Sequence, residues 1–228
     1  MAGTSVSTAA VSVSGLSITR AGRKLFDEMS WKLPPGSFLA VTGPSGAGKS
    51  SLLSCLAGEL EPFGGSFDLH GRSIGCVFQD FRLSGNLSVL NNVLCGSLGR
   101  RNWWQTLLRF DAAERSDAFD LVRSLGLAEL IHKPVTNVSG GEQQRTAVAR
   151  TLLHRPDIIL ADEPTSQLDS ETARLVLSRL REAARAGKTV ITVLHDTRLV
   201  EDFADCELVI DSALANGWKF SGAEASNA

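Results

Sequence analysis

Residues 43–51, GPSGAGKSS, constrain the fold of this chain more than any other stretch. They follow a short apolar run, FLAV (residues 38–41), and open into SLLSCLAG (residues 51–58), whose composition predicts a helix. Strand, glycine loop and helix in that order give the pattern G-x-x-x-x-G-K-[ST] its meaning. Gly43, Gly46 and Gly48 let the chain turn tightly around Pro44, Ser45 and Ala47, so several backbone N–H groups can point into one concavity. The helix that follows adds its unsatisfied N-terminal donors and the positive end of its dipole. Lys49 brings a compact charge suited to β- and γ-phosphates, and Ser50, with Ser51 beside it, a hydroxyl suited to Mg²⁺. A glycine-rich turn that merely caps a helix is the plainer alternative. We read the loop as a nucleotide phosphate site.

At 228 residues the chain can bury a substantial core and fits one domain, with room for a small lobe. A hydrophobic content of 43% and a charged content of 21% suit a soluble globular protein. The net charge of -2 argues against a basic nucleic-acid binder, so no nucleic-acid partner is expected. No run approaches the roughly 20 apolar residues that span a bilayer. The opening MAGTSVSTAAVSVSG has neither a positive n-region nor a sustained apolar h-region, and no secretory leader is expected. Any membrane role then comes through a partner. The four cysteines, Cys55, Cys76, Cys95 and Cys206, show no metal-ligand spacing, and Cys55 and Cys76 read as buried thiols of a reducing compartment. His132 and His154 read as ordinary surface or packing residues.

Taken in order, residues 1–10 are small and polar and read as loose. Residues 11–19, VSVSGLSIT, alternate as a half-buried strand should. A second strand is predicted over 26–33, ended by Pro34-Pro35-Gly36, and 38–41 forms a buried central strand. Two short strands, SFDLHG and IGCVFQD, follow the loop helix, with Gln79 closing the second. From residue 83 to about 137 the pattern turns helical, at 87–94 and 112–125, with a break at Gly96-Ser97-Leu98-Gly99. This reads as a helical sub-lobe inserted into an α/β core. A helix over 142–154 stops before Pro156. Strands over 157–161, 189–194 and 207–210 alternate with a long helix over 170–186. The core unit is placed at 11–211, and 212–228 reads as a flexible tail.

In parallel α/β sheets, binding sites gather at the C-terminal ends of strands. Four candidates stand at such ends: the Gly43 loop, Gln79, Asp162-Glu163 and His195. Asp162 can hold a Mg²⁺ ion or one of its waters, and Glu163 can polarise an attacking water. Taken alone, Gln79 is as readily structural and His195 as readily a cap; in this company they become metal or water and γ-phosphate sensors. Ser139-Gly140-Gly141, followed by Glu142, is a second glycine-rich helix opening and so a second anion site. Either it closes over the ligand in the same subunit or it faces a nucleotide held by a neighbour.

With these residues assembled, the chain resembles the ATP-binding subunit of an ATP-binding cassette (ABC) transporter over roughly residues 11–210. GPSGAGKS resembles the Walker A loop, and Gln79 in VFQD the Q-loop glutamine. VSGGEQQR (138–145) resembles the signature sequence, the most specific mark. IILADEP (158–164) resembles Walker B with its catalytic glutamate, SQLD (166–169) the D-loop, and His195 the switch histidine. The resemblance implies a P-loop NTPase core of mainly parallel sheet, with an N-terminal antiparallel β subdomain and an inserted helical subdomain. It also implies a head-to-tail homodimer or heterodimer sandwiching two ATP molecules, each held by residues 43–50 of one subunit and 139–141 of the other. Lys49 would contact phosphates and Ser50, Gln79 and Asp162 would hold Mg²⁺. Glu163 would activate water, His195 would stabilise the γ-phosphate, and Asp169 would link the two sites. Closure would pull on membrane-spanning permease subunits at the cytoplasmic face of the inner membrane.

Two positions depart from the family pattern. An aromatic that stacks adenine is usual shortly after the first strand, where this chain has Arg20-Ala21; Arg20 can offer a guanidinium plane, while Phe26 reads as core. Gln167 replaces the usual Ala of the D-loop. For cargo, residues 87–110, LSVLNNVLCGSLGRRNWWQTLLRF, are similar to the matching segment of phosphonate-importer ATPases, which work with a periplasmic solute-binding protein. Trp103-Trp104 could instead simply pack against helices or a membrane partner. VLHD at 193–196 fits that subgroup poorly, and ADEPT is shared with lipoprotein-release and efflux ATPases, the alternative. A soluble ABC ATPase acting on nucleic acid or ribosomes is a third reading.

Overall fold

A computed structural model describes residues 9–20, 22–100 and 110–222. The first layer follows from alternation. In β1 (Val11–Arg20), Val11, Val13, Leu16 and Ile18 are buried, and the register shifts around Gly15 keep this apolar set on one face. β1 pairs antiparallel with β2 (Arg23–Leu33) and with β4 (Gly64–Asp68), giving a three-stranded sheet of order β2-β1-β4.

The second sheet is built around central runs that carry no charged residue. β3 (Phe38–Thr42), β6 (Ile158–Ala161) and β7 (Thr189–Val193) bury nearly every side chain, as central parallel strands must. With β5 (Ile74–Val77), β8 (Cys206–Ile210) and β9 (Trp218–Ser221) they form the order β5-β6-β7-β3-β8-β9, parallel except at β9. Successive residues serve opposite faces: Phe38 and Ala40 join one apolar cluster, Leu39 and Val41 the other. The first cluster includes helices α2 (Val89–Leu94), α3 (Ala112–Ser124), α4 (Gly140–His154) and α5 (Ser170–Arg185). The second includes α1 (Lys49–Leu56) and the antiparallel sheet. The mainly parallel core, the antiparallel sheet and the helices match the expected fold class.

α5 shows why these helices dock. Its buried residues, Ala173, Val176, Leu177, Leu180 and Ala184, recur at helical spacing along one stripe, and the remaining face is charged. Cys55 is buried and Cys76 half-buried, and burial pushes both thiols up to about 11, so neither is a reactive thiolate near neutrality.

Two expectations change, and one short helix stands where none was predicted. The segment after residue 211 is not a flexible tail over 212–222: β9 pairs with β8, Trp218 Nε1 donates to the Asp27 carbonyl at 2.9 Å, and Phe220 stacks on Trp31 at 5.9 Å between ring centroids. A four-residue run with two aromatics, WKFS, is enough to add a strand when a β-edge and an apolar ring wait for it. Residues 197–203 form a short helix, α6 (Thr197–Phe203), capped by Asp196. Ala9 and Ala10 are buried, and Ala10 N–H donates to Leu33 at 2.6 Å, so that end of the first ten residues is fixed. The glycine-marked break at 96–99 lies in a 3-10 helix, Cys95–Arg100. Residues 1–8, 223–228 and Trp103-Trp104 lie outside the described residues.

Candidate functional site

Because β5, β6, β7 and β3 are parallel neighbours in matched register, their C-terminal ends fall level: Val77 faces Ala161, Ala161 faces Thr192, and Val193 faces Val41. The residues that leave those ends therefore meet along one edge of the sheet. The loop after β3 has the backbone that its glycines allow. Gly43 has φ 132°, and a Cβ there would sit 1.9 Å from the Ile210 carbonyl oxygen, so no other residue fits. Gly48 has φ 112° and is the N-cap of α1.

Lys49 is 5% exposed, and its Nζ donates to the carbonyls of Gly43 at 2.8 Å and Pro44 at 2.9 Å. Burial lowers its ammonium below the ordinary value, and the carboxylates of Glu163 and Asp162 pull it back up. Ala47 packs toward the apolar cluster on the α1 face. A cavity of about 470 Å³ opens over the loop, lined by Ser45, Gly46, Gly48, Lys49, Ser50, Ser51, Gln79 and Glu163. Arg20 and Leu25 complete its wall. Leu25 was not singled out from the sequence; the signal that could have found it is its place in the first hairpin beside Arg20. Phe26 is core, 2% exposed.

Asp162 continues β6, and its N–H donates to the Val77 carbonyl at 2.9 Å, which ties the ends of β5 and β6 together. Its Oδ1 is buried and finds no hydrogen-bond partner among the described residues. Burial raises its carboxyl above the ordinary value; Ser50, within hydrogen-bonding reach, pulls it back. A buried carboxylate oxygen with a free lone pair beside a serine hydroxyl fits an oxygen-liganded divalent cation.

Glu163 has φ 50°, a left-handed conformation uncommon for a residue with a side chain. Its Oε1 lies 2.7 Å from His195 Nε2, so the two strand-end residues are already in contact. Its carbonyl accepts from Gln144 Nε2 at 2.7 Å and from Ser166 N–H at 3.2 Å. Glu163 and His195 also face a second cavity, of about 520 Å³, bounded by Ser166, Leu168 and Ser170.

The second glycine-rich opening is built differently. Ser139 is the N-cap of α4: its Oγ accepts from Glu142 N–H at 3.3 Å, while Glu142 Oε2 accepts from Ser139 N–H at 2.6 Å. The Ser139 N–H holds the Glu142 carboxyl below its ordinary value. A Cβ on Gly140 would lie 2.0 Å from Gln167 Oε1, and one on Gly141 would lie 2.9 Å from Leu168 Cδ2. These glycines make room for the SQLD loop of the same chain. None of Ser139, Gly140, Gly141 or Glu142 lines the cavity over the Gly43 loop. Asp169 caps α5, accepting from Glu171 N–H at 3.0 Å and Thr172 N–H at 2.9 Å, and its bonds to Thr172 lower its carboxyl. Gln144, buried at 2% exposed, was missed as a site residue because its partner lies 19 positions away across α4 and β6.

Comparison with known proteins accords with this geometry. Residues 26–166 match the family described as ABC transporter. The chain is 39% identical over 203 residues to a phosphonates import ATP-binding protein of Nostoc sp., covering 83% of each. It is 39% identical to one from Cupriavidus metallidurans, over 82% of this chain and 74% of that protein. Among solved structures it is similar to a metal-chelate type ABC transporter in an inward-facing conformation, with a TM-score of 0.80 and 31% identity, over 94% of this chain and 83% of that one. It is likewise similar to a dimeric ATP-binding cassette bound to ADP and Pi, with a TM-score of 0.79 and 25% identity, over 92% of this chain and 97% of that one. Among the described residues no helix is long and apolar enough to cross a membrane. The phosphate loop, the level strand ends and these relatives agree: the chain belongs to the ABC transporter family, as an ATP-binding, ATP-hydrolysing cassette.

Proposed function

We propose that the chain powers import of a phosphonate-class solute, working as a head-to-tail dimer beneath permease subunits at the cytoplasmic face of the inner membrane. The observation that carries the cargo class is the 39% identity to phosphonates import ATP-binding proteins over four-fifths of the chain. With importers as the relatives, lipoprotein release and efflux are not favoured. The ATPase unit takes in β9 as well as the strands and helices before residue 211, and the helical insert at 83–137 is the part that meets the permease. The dimer is made of two such cassettes, identical or related, and a periplasmic solute-binding protein delivers the cargo.

The roles follow from the atoms. Lys49 is held over the loop by two carbonyls, so it can turn its charge to the β- and γ-phosphates with little rearrangement. Ser50, Asp162 and Gln79 would hold Mg²⁺, which supplies charge neutralisation at the phosphate oxygens. Glu163 orients and activates the attacking water, and His195, already 2.7 Å from it, steadies that carboxylate and reaches the γ-phosphate. Arg20 gives the base a planar cation on which to stack, against Leu25. Ser139, Gly140 and Gly141, with Glu142 behind them, meet the nucleotide of the other subunit, since they do not line the cavity of their own. Asp169, by holding the start of α5, sets the seam through which the two sites communicate.

The test is Mg²⁺-ATP hydrolysis by wild type and Glu163→Gln, with dimerisation followed by light scattering. Wild type hydrolyses ATP, and Glu163→Gln loses about 100-fold or more in turnover while forming a lasting ATP-bound dimer. A wild type that neither binds ATP nor dimerises with it contradicts the reading. In the assembled transporter, stimulation of hydrolysis by a solute-binding protein loaded with phosphonate, against none with sulfate or phosphate, tests the cargo class.

A further inference from the structure

We propose that Gln144 is a positioning residue for Glu163: from helix α4 it holds the backbone of the hydrolytic carboxylate in its left-handed conformation. The inference rests on the reading of Glu163 as the residue that activates water. An L-residue at φ 50° stays there only when its surroundings over-determine it. At Glu163 the side chain is engaged by His195, so the backbone is fixed by what its carbonyl meets. Two donors meet it, Gln144 Nε2 at 2.7 Å and Ser166 N–H at 3.2 Å. The first is the shorter, and it comes from a different element.

Gln144 is suited to this work at both ends of its amide. Its Nε2 faces two oxygens, the Glu163 carbonyl and Ser166 Oγ at 3.5 Å, while its Oε1 faces the Gln167 N–H at 3.4 Å. The donor end meets acceptors and the acceptor end meets a donor, which fixes the orientation of the group. At 2% exposure no bulk water can take its place, so a lost donor leaves the carbonyl under-satisfied. A carboxylate in the same position would keep the acceptor for Gln167 but turn an oxygen toward an oxygen. A leucine would keep the volume and lose both bonds.

The placement gives the contact a consequence. Gln144 sits about one turn beyond the Ser139-Gly140-Gly141 opening, on the same rigid helix. A shift of that helix, such as one caused by a nucleotide on its N-terminus, moves the amide that holds Glu163. The aim of the carboxylate is thereby set from the second glycine-rich opening, without passing through the phosphate loop.

The experiment uses the full chain with Mg²⁺-ATP, comparing wild type with Gln144→Leu and Gln144→Glu. Steady-state kcat and KM, binding of a fluorescent ATP analogue and thermal melting are measured on each. Both variants are expected to lose about 100-fold in kcat, since a small misplacement of a reacting group carries that cost. KM and analogue affinity are expected to stay within about 3-fold of wild type, because the phosphate loop is untouched. Turnover within about 3-fold of wild type in Gln144→Leu overturns the proposal, as does a loss carried by KM with kcat held. Unfolding of the isosteric Gln144→Glu also overturns it, by making the residue a general support of the fold. A wild type without hydrolysis removes the Glu163 reading itself, and this proposal with it, before any variant is compared.

Discussion

Two glycine-rich stretches each open a helix in this chain, and they are glycine-rich for different reasons. In the loop at 43–48, Gly43, Gly46 and Gly48 all have positive φ, and the chain bends so that its concave side faces a cavity of about 470 Å³. At 139–141 the glycines lie inside or at the start of a regular helix, and what they provide is clearance for Gln167 and Leu168. The first is a demand of backbone conformation; the second is a demand of close packing. Similar glycine content therefore encodes a phosphate cradle in one place and a packing face for the SQLD loop in the other.

The largest effect that separates the two comes from adding one methyl group to each. Gly43→Ala meets a fixed backbone carbonyl at 1.9 Å with φ at 132°, and should cost about 4 kcal/mol and abolish nucleotide binding. Gly140→Ala meets only the end of a flexible side chain, Gln167 Oε1, and should stay within about 1 kcal/mol of wild type. In a Gln167→Ala background the same change should become neutral or stabilising. Denaturant melts of wild type, the three single variants and the double variant check this, and equal costs at the two glycines would erase the distinction.

A smaller effect sharpens the second region. The Glu142 carboxyl is held below its ordinary value by the Ser139 N–H, so the fold binds that proton less readily than the unfolded chain does. Its contribution is therefore fully present above the ordinary carboxylate range and is lost as pH falls through the depressed value. The protection factor of the first turn of α4, that is, exchange corrected for its intrinsic slowing in acid, should fall on acidification in wild type and show no such limb in Glu142→Gln. The first turn of α1 has no acidic residue and should not respond.

The contrast also marks what could be read from residues alone. The Gly43 loop, Asp162 and Glu163 were legible because each follows a strand whose apolar run is unmistakable, and parallel strands bring their ends level. The antiparallel and parallel sheets were legible for the same reason, one from alternation and the other from unbroken apolar runs. β9 was not, since four residues with two aromatics carry little periodicity and acquire their strand from the free edge of β8. The contact of Gln144 with Glu163 was hidden because it depends on a left-handed φ after β6, which nothing in ADEPT declares. Asp169 had a helix-cap signature in D-S-E-T, and its hydrogen bonds are those of a cap.

The central claim is that the two openings are halves of a composite site shared between chains, and mixing two disabled chains tests it most directly. Lys49→Ala disables the loop and Ser139→Arg blocks the signature; each is purified, shown to melt cooperatively, and found inactive alone. In an equimolar mixture half the dimers are mixed, and each mixed dimer keeps one intact pairing of loop and signature. Hydrolysis should return to about a quarter of the wild-type rate, as expected of a head-to-tail interface with two equivalent sites. No recovery at any mixing ratio would mean that each site is completed within its own chain, and would contradict the account.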